Sequence, residues 1–377
     1  MKKILLATTA VVAMSTVSAE AFAADKIKLE LGGFMRQYVG LANNDEVAAT
    51  ANTTAAVRST DLQQWANSEV YFRGSTTTDN GLKVSADIQM ETSNRTSGTR
   101  NYDISSLEIS SDAIGAVTIG STSHGADDFA VRVPQASGLD WGDMGNNFGS
   151  YADTATATTV AAGYSVGFDM AELGAKGLKL KYVSPNFSGV NAFVSYSATE
   201  AGGQLNQTNN GTDAYTYGVA FGGEVSGASV SADLAHTSNA VATGVDSNRF
   251  GLNVGMGGFT VGGGYSNFND GASLSNSAAT VSNNDGTGYE FGAAYATGPY
   301  TVSAGYTAVK SKGTTTTVGD NKDTTWALAG AYDLGAGVAL TGTYYSSKFD
   351  AEGTGTTVAL GKSYTVKGFI AGVEVGF

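Results

Sequence analysis

The sequence predicts an all-β fold, a transmembrane antiparallel β-barrel of 16 strands, and three observations support this class. Apolar residues recur at every second position in runs of about ten residues, the length that a tilted strand needs to cross a bilayer. Short and long connections alternate between these runs. The last run, Val366–Phe377, keeps the alternation up to a terminal phenylalanine.

The first 23 residues have the features of a secretory signal peptide. A basic start at Met1–Lys3 precedes the mostly apolar stretch Ile4–Val17, and Ala21–Ala23 supplies small residues that flank a cleavage site. The alternative is an N-terminal membrane anchor, but the apolar stretch is short for a span and is interrupted by threonines. We therefore expect residues 24–377 to form one transmembrane barrel.

Composition excludes several function classes. The chain carries a net charge of −13, and the signal contributes +1 through Lys2, Lys3 and Glu20, so the mature part carries −14. This acidity argues against nucleic-acid binding, which needs a basic surface. The chain has no cysteine, so disulfides do not hold this exported protein together.

The alternating strands follow one another with regular connections. Five apolar residues of one run, from Leu82 to Met90, alternate with Lys83, Asp87 and Glu91, and aromatic runs such as 289–295 repeat the pattern. On the other face, glycine and alanine are frequent, which suggests open space or a packed loop. The expected short turns are 77–81, 112–115, 184–189, 224–227, 257–258, 298–299 and 335–337; the expected long connections are 43–64, 93–101, 123–177, 199–212, 239–246, 270–286, 311–322 and 350–363.

Because short and long connections alternate along the chain, every short turn and both termini lie at one rim, and every long loop lies at the other. An even strand number with tight periplasmic turns and long external loops is typical of outer-membrane barrels. The sheet must close because hydrocarbon offers no partner for an unpaired backbone group. The segment Thr158–Phe168 also alternates, but counting it gives seventeen strands and moves the C-terminus to the wrong rim. We assign it to the third long connection; eighteen strands, with a further partner, is the open alternative.

The last strand is expected to pair with the first and to place its apolar face against lipid. Phe377 would then lie in the interfacial aromatic girdle, and it resembles the terminal signal that outer-membrane assembly machinery reads. Tyrosines near strand ends are assigned to the same girdle rather than to a sugar-stacking ladder in the lumen. They are Tyr38, Tyr182, Tyr196, Tyr265, Tyr295, Tyr306 and Tyr332.

Two stretches resemble the general, non-specific porins of Gram-negative bacteria. SEVYFRGSTTTDNGLKVSADIQME, residues 68–91, is similar to a strand–turn–strand signature of that family, and LKLKYVSPNFSG, residues 178–189, to a strand before a tight periplasmic turn. With Phe377 and the strand count, the resemblance covers the mature chain. Matching positions in the first stretch are Ser68, Phe72, Arg73, Gly74, Gly81, Leu82, Lys83, Gln89 and Glu91.

The resemblance implies a homotrimer of water-filled barrels in the outer membrane, each narrowed by an inward-folded third loop, here residues 123–177. In the family, carboxylates on this loop face basic side chains on the wall, and the resulting transverse field selects solutes by size and charge. The loop residues expected in this constriction are Asp127, Asp128, Arg132, Asp140 and Asp143. Strand parity predicts as wall residues Arg36, Glu69, Arg73, Lys83, Asp87, Glu91, Lys179 and Lys181.

Two departures from the family pattern indicate cation preference. The family usually has a basic residue after the serine that matches Ser68, where this chain has Glu69. It often has arginine after the glycine that matches Gly120, where this chain has Ser121. The expected function is passive diffusion of ions and small hydrophilic solutes. A substrate-specific channel, or a structural or adhesive surface barrel, is the alternative.

No catalytic or cofactor-binding chemistry is expected. The chain has two histidines and lacks the Gly-x-Ser-x-Gly, His-Glu-x-x-His and P-loop motifs. His124 lies near Asp127 and Asp128, but this is a weak metal-ligand set, so a loop hydrogen bond is the preferred interpretation. The expected partners are two further copies of the chain, outer-membrane lipid with lipopolysaccharide, and the barrel assembly machinery.

Overall fold

The computed structural model describes residues 27–44, 62–93, 102–139, 144, 150–153, 158–161, 177–197, 214–239, 245–269, 285–312, 320–350 and 363–377. These residues form eighteen strands and one short helix, α1, at Gly125–Asp128. No helix among them has the length and apolar character to cross a membrane. The strands are β1 Lys28–Asn44, β2 Leu62–Thr77, β3 Lys83–Glu91, β4 Tyr102–Ser111, β5 Gly115–Thr122, β6 Ser150–Asp153, β7 Thr158–Ala161, β8 Gly177–Val183, β9 Val190–Ser197, β10 Ala214–Val225, β11 Ala228–Asn239, β12 Val245–Met256, β13 Phe259–Asn269, β14 Gly286–Thr297, β15 Tyr300–Lys312, β16 Asp320–Gly335, β17 Val338–Asp350 and β18 Ser363–Gly376.

Sixteen of these strands form one closed antiparallel barrel, as the sequence predicts. Each barrel strand pairs with its neighbours in the chain, with two exceptions: β5 pairs with β8 across the third connection, and β1 pairs with β18. Strands β6 and β7 form a separate two-stranded sheet. Thr158–Ala161 therefore belongs to the third connection and not to the barrel, while residues 162–168 lie outside the described part.

The first and last strands close the barrel. Strand β1 pairs with β18 from Phe34 opposite Gly376 to Asn44 opposite Val366. Beyond the last paired residue, Gly33 donates a 2.9 Å backbone hydrogen bond to the Phe377 carbonyl oxygen, and the Phe377 N–H donates one of 3.1 Å to Gly33. The terminal residue thus extends the closing ladder by two hydrogen bonds, which satisfies backbone groups that hydrocarbon would leave unpaired.

The two faces of the barrel separate apolar from polar side chains. Outward-facing residues such as Leu29, Ile119, Leu234 and Phe291 are between 55 and 70% exposed in the single chain, as lipid-facing side chains should be. Six of the seven tyrosines assigned to the girdle face outward by the register. Tyr38 does not, and its assignment to the girdle was wrong.

Tyr38 lies on the luminal face, opposite in direction to its outward-facing neighbour Val39. It pairs in the sheet with Trp65 and Gly372, which lie on the same luminal face. Its ring stacks on Trp65 with centroids 5.5 Å apart, and its hydroxyl donates a 2.8 Å hydrogen bond to Glu374 Oε1. A Cβ at Gly372 would lie 2.2 Å from the Tyr38 ring, so the glycine makes room for it.

The short connections are tight turns, as predicted. At Gly257 and Gly258 both φ angles are positive, 61° and 88°, the conformation that two-residue hairpin turns of type I′ require. Glycine adopts it without a steric penalty. This turn joins β12 to β13 and keeps the two strands in register.

Candidate functional site

The start of the third connection, Ser123–Leu139, lies inside the barrel and forms hydrogen bonds with the luminal faces of β8–β12, β14, β15, β18 and β1. Helix α1 begins it, and the Gly125 N–H donates a 2.8 Å hydrogen bond to Ser195 Oγ on β9. The Phe129 ring stacks on luminal Phe193, with centroids 5.2 Å apart. These contacts attach the first turn of the loop to the wall.

Three wall carboxylates then accept backbone hydrogen bonds from the loop. Val131 N–H donates to Asp233 Oδ1 on β11 at 2.8 Å, and Val133 N–H donates to Glu290 Oε1 on β14 at 2.9 Å. Gly138 N–H donates to Glu374 Oε1 on β18 at 2.8 Å. We call Asp233, Glu290 and Glu374 the anchoring carboxylates. Hydrogen bonds to ionised acceptors are stronger than neutral ones, so this row fixes the path of the loop along the wall.

Glycines on the luminal face bring the loop close to the sheet. A Cβ at Gly251 would lie 2.4 Å from the Val131 carbonyl oxygen, and one at Gly292 would lie 2.4 Å from Val133 Cγ1. Both distances are shorter than real side chains tolerate. The small residues predicted to border a packed loop therefore do so on β12 and β14.

Arg249 on β12 lies buried beside the first anchoring carboxylate. Its Nη2 is 3.3 Å from Asp233 Oδ1 and donates a 3.2 Å hydrogen bond to the Val131 carbonyl oxygen. Its Nη1 is 3.4 Å from the Ala126 carbonyl oxygen. Both charged side chains are at most 2% exposed, so removal of one partner would leave a buried charge uncompensated.

The structure pairs two of the predicted constriction carboxylates with cations. Asp127 Oδ1 lies 3.6 Å from Arg132 Nη2 within the loop. Asp128 forms an ion pair with the wall residue Lys181. Burial raises the pKa of the Asp128 carboxyl, and the Lys181 ammonium opposes that rise. Asp140 and Asp143 lie outside the described residues.

The predicted wall residues of β1–β3 all face the lumen by the register. Arg36 Nη1 donates a 3.2 Å hydrogen bond to the Gly138 carbonyl oxygen, so it contacts the far end of the described loop. Arg73 Nε lies 3.1 Å from Asp87 Oδ2, and this pair is partly exposed. The sheet register places Asp87 on β3 and Glu30 on β1 directly opposite Arg73.

The remaining wall residues differ in burial. Glu69 and Glu91 are direct cross-strand partners, which places two carboxyl groups side by side in the lumen. Lys179 is buried and lies with its Nζ 3.4 Å from the Gly177 carbonyl oxygen. Lys83 is exposed at the short-turn end of β3, away from the described loop.

His124 makes a loop-to-wall contact. Its Nδ1 lies 3.1 Å from Thr216 Oγ1 on β10, and the side chain is 1% exposed. This agrees with the preferred interpretation as a hydrogen-bonding residue. In the described part of the chain, no group of three or more histidine, aspartate and glutamate side chains is placed to hold a metal ion.

The anchoring carboxylates and Arg249 were missed in the sequence. The signal that could have found them is a lone charged residue on an otherwise small or hydroxylated luminal face. Asp233 stands among Ser231 and Ala235, and Glu374 stands between Gly372 and Gly376. Such a charge needs a partner in the lumen, and the inward loop is the segment that supplies one.

Comparison with solved structures supports the fold. The chain is similar to the outer membrane channel DcaP of Acinetobacter baumannii, with a TM-score of 0.62, 16% identity, and coverage of 97% of this chain and 100% of that chain. An anion-selective porin from Comamonas acidovorans gives a TM-score of 0.59 at 18% identity, covering 93% and 100%. The trimer form of in-vitro folded OmpT of Vibrio cholerae gives 0.59 at 13% identity, covering 94% and 100%.

No curated protein matches the chain in sequence. A family model described as Gram-negative porin matches residues 7–352, which is most of the chain. This match agrees with the closed barrel of sixteen strands and with the loop that runs along its inner wall. The chain therefore belongs to the Gram-negative porin family and forms a channel of the outer membrane.

Proposed function

We propose that this channel is a passive, non-specific diffusion pore that prefers cations. The observation that carries the proposal is the row of anchoring carboxylates Asp233, Glu290 and Glu374, which hold the loop against the wall. A loop fixed in this way narrows the lumen without needing a bound substrate to order it. Solutes then pass according to size and to the charge of the remaining luminal side chains.

Charge on the luminal side supports the preference for cations. Carboxylates outnumber cations among the luminal side chains that the register and the loop contacts define. Among the described residues, the carboxylates are Glu30, Glu69, Asp87, Glu91, Glu108, Asp127, Asp128, Glu224, Asp233, Glu290, Asp323, Asp333 and Glu374; the cations are Arg36, Arg73, Lys83, Arg132, Lys179, Lys181 and Arg249. A negative lumen concentrates cations in the pore.

The sign of selectivity must be measured because the fold does not set it, and one of the similar structures is an anion-selective porin. The test is the reversal potential of the purified, detergent-folded protein in a planar bilayer under a salt gradient. Steady ohmic steps with a reversal potential of the cation-selective sign support the proposal. A reversal potential of the anion-selective sign contradicts the proposed cation preference. Absence of conductance contradicts the proposed diffusion pore.

A substrate-specific channel is the second candidate, and the luminal aromatic side chains of β1 and β2 favour it. Besides the stacked pair of Tyr38 and Trp65, Phe34 contacts Tyr71 edge to face at 6.2 Å. Arg36 lies 4.5 Å above the Phe34 ring, and Arg73 lies 4.4 Å above the Tyr71 ring. Tyr38 is 1% exposed, so a sugar or an aromatic solute would stack on the partly exposed rings of Phe34, Trp65 and Tyr71. Saturable block of the current by one such solute would distinguish this candidate.

The proposed assembly is a homotrimer, inserted by the barrel assembly machinery with Phe377 as its signal and surrounded by outer-membrane lipid with lipopolysaccharide. The trimer is supported by family membership and by the trimer form of a similar barrel. Migration of unheated and heated protein on a gel tests both barrel closure and the trimer. A band at monomer mass before heating, in mild detergent, would contradict the trimer.

A further inference from the structure

Exposed aromatic surface on the inner wall is confined to β1 and β2. Phe34, Trp65 and Tyr71 are partly exposed, and the register places all three on the luminal face. The other aromatic residues whose luminal side chains the structure describes on the wall are at most 3% exposed; they are Tyr38, Phe193, Phe268 and Tyr345. Within the described residues, a solute in the lumen therefore meets aromatic rings of the wall in this sector alone.

Two guanidinium groups stack on two of these rings. Arg36 Cζ lies 4.5 Å from the centroid of the Phe34 ring, and Arg73 Cζ lies 4.4 Å from that of the Tyr71 ring. The two rings contact each other edge to face, with centroids 6.2 Å apart. We call Arg36, Phe34, Tyr71 and Arg73 the arginine–aromatic cluster. Stacking occupies one face of each guanidinium and leaves the N–H groups at its edge available for hydrogen bonds.

Arg73 carries N–H groups that no described protein acceptor uses. Its Nε lies 3.1 Å from Asp87 Oδ2, whereas neither Nη atom forms a hydrogen bond or an ion pair with a residue that the structure describes. The Arg73 side chain is 49% exposed, so both Nη atoms are accessible from the lumen. Two parallel N–H donors match the two oxygens of a carboxylate.

The carboxylates around the cluster do not occupy this edge of Arg73. Asp87 accepts from Nε and leaves the Nη atoms to other acceptors. Glu69 is 8% exposed and interacts with the Tyr71 hydroxyl. Glu30 is exposed and lies directly opposite Arg73 in the sheet. Its charge repels an anion at Arg73, so Glu30 lowers the affinity of such a site without filling it.

The cluster stands on the part of the wall that the described loop leaves open. Over its described length, Ser123–Leu139 reaches β1 through a hydrogen bond from Arg36 and forms no hydrogen bond with β2 or β3. Tyr71 and Arg73 lie closer to the short-turn rim than this contact does. A solute that has passed the far end of the described loop therefore meets the cluster next.

We propose that the arginine–aromatic cluster is a binding site for planar aromatic carboxylates. The carboxylate of the solute accepts hydrogen bonds from both Nη atoms of Arg73, and its ring packs against the exposed parts of Phe34 and Tyr71, offset or edge to face. A neutral or cationic ring of the same shape loses these charge-assisted hydrogen bonds. The site rests on the proposed open pore, since the solute must enter the lumen. It does not rest on the proposed cation preference, which reflects the charge of the whole lumen.

The test compares benzoate, benzamide and benzamidine, three planar solutes of nearly the same shape that carry a negative charge, no charge and a positive charge. Ligand-observed NMR titrations of the full-length protein, folded in a neutral detergent, give their affinities. Benzoate should bind most tightly and benzamidine most weakly. Cyclohexanecarboxylate keeps the charge but lacks the planar ring, so it should bind several-fold more weakly than benzoate. Binding of benzamide or benzamidine as tight as that of benzoate would overturn the proposal.

Variants of the wall locate the binding. Arg73→Gln removes the carboxylate donors and should weaken benzoate binding about tenfold, because hydrogen bonds between charged groups are lost, while the affinity for benzamide should change little. Lys83→Gln is the matched control, since it removes a luminal positive charge at the short-turn end of β3 and should leave the affinity for benzoate unchanged. Glu30→Gln should raise that affinity. Equal affinity of the wild-type and Arg73→Gln proteins for benzoate would overturn the proposal.

Planar-bilayer recordings separate failure of this site from failure of the pore. The wild-type and variant proteins should all show steady open steps, and benzoate should reduce the wild-type current in a saturable manner at concentrations that leave the Arg73→Gln current unchanged. Absence of open steps would contradict the proposed pore, whereas open steps that benzoate affects equally in the two proteins would overturn only the binding site. The comparison of the three solutes uses wild-type protein alone, so it stands if Arg73→Gln fails to close its barrel.

Discussion

The backbone N–H of Gly138 in the third loop donates a 2.8 Å hydrogen bond to Glu374 Oε1 on the last strand. The same oxygen accepts a 2.8 Å hydrogen bond from the Tyr38 hydroxyl. One carboxylate thus joins the loop to the two strands that close the barrel. Asp233 and Glu290 hold the loop at earlier points, so Glu374 controls the far end of the described loop.

Replacement of Glu374 by alanine should loosen this end of the loop. The variant loses two hydrogen bonds to an ionised acceptor, each of which contributes about 1.5–3 kcal/mol. We expect an unchanged barrel, as judged by heat-modifiable migration, with larger open-channel current noise and a higher mean conductance. Glu374→Gln keeps an acceptor oxygen and should give an intermediate trace. If the open-channel current of the alanine variant is as quiet as that of the wild type, other contacts hold this end of the loop.

The ion pair between Asp128 and Lys181 should influence ion selectivity. In Lys181→Gln the Asp128 carboxylate loses its nearest cation, so the lumen becomes more negative. We expect the reversal potential in a salt gradient to shift further in the cation-selective direction. Lys83→Gln is the matched control, because it removes one luminal positive charge away from the described loop. An equal shift in both variants would mean that the total luminal charge, rather than the Asp128–Lys181 pair, determines the change in ion selectivity.

Acidification should reduce the cation preference of the channel. Burial raises the pKa of the Asp128 carboxyl, so as pH falls its negative charge is lost at a higher pH than that of an ordinary aspartate. Its protonation leaves Lys181 uncompensated and makes the lumen less negative. We expect a smaller cation preference at acid pH, measured by reversal potential. Asp128→Asn should show this smaller preference already at neutral pH and a weaker dependence on pH.

The strand number and the facing of side chains could be predicted from the sequence because hydrocarbon imposes them. Every backbone group must pair, and every second side chain must be apolar, so local periodicity carries the information. Periodicity also placed Lys181 in the lumen, whereas only the resemblance to the porin family placed Asp128 there, and neither showed that the two side chains pair. That contact depends on the path of the loop, which no period in the sequence records.

The anchoring carboxylates illustrate the same limit. Gly138 and Glu374 are 236 residues apart in sequence, and neither position shows locally which partner it has. Tyr38 was misassigned for a related reason. A tyrosine near a strand end fits the girdle by composition, but alternation with the outward-facing Val39 and Leu41 puts Tyr38 on the luminal face, where it lies beside Trp65 and Gly372. Alternation fixes the face of a residue, whereas tertiary packing decides what it contacts.

A side chain at Gly251 should displace the third loop from the wall. An added Cβ would lie 2.4 Å from the Val131 carbonyl oxygen and 2.6 Å from Asp233 Oδ1. Overpacking of this kind costs about 1–3 kcal/mol, and the loop is easier to move than the sheet. We therefore expect Gly251→Ala to fold but to show altered conductance and noise. Gly222→Ala is the control, since a Cβ there meets no atom within 4 Å. Identical traces from both variants would argue against close loop packing at β12.

Variants of Phe377 should separate two roles of the terminal residue. Deletion of Phe377 removes the two backbone hydrogen bonds to Gly33, each contributing about 1 kcal/mol, and also removes the ring. Phe377→Ala keeps the hydrogen bonds and removes only the ring, while Phe377→Tyr keeps both.

If the ring is the assembly signal, deletion and Phe377→Ala should both lower the amount of heat-modifiable barrel in isolated membranes, and Phe377→Tyr should restore it. During refolding of purified chains into detergent, without assembly machinery, only the deletion should lower the yield. A Phe377→Ala protein that accumulates normally in membranes would show that the ring is not the signal.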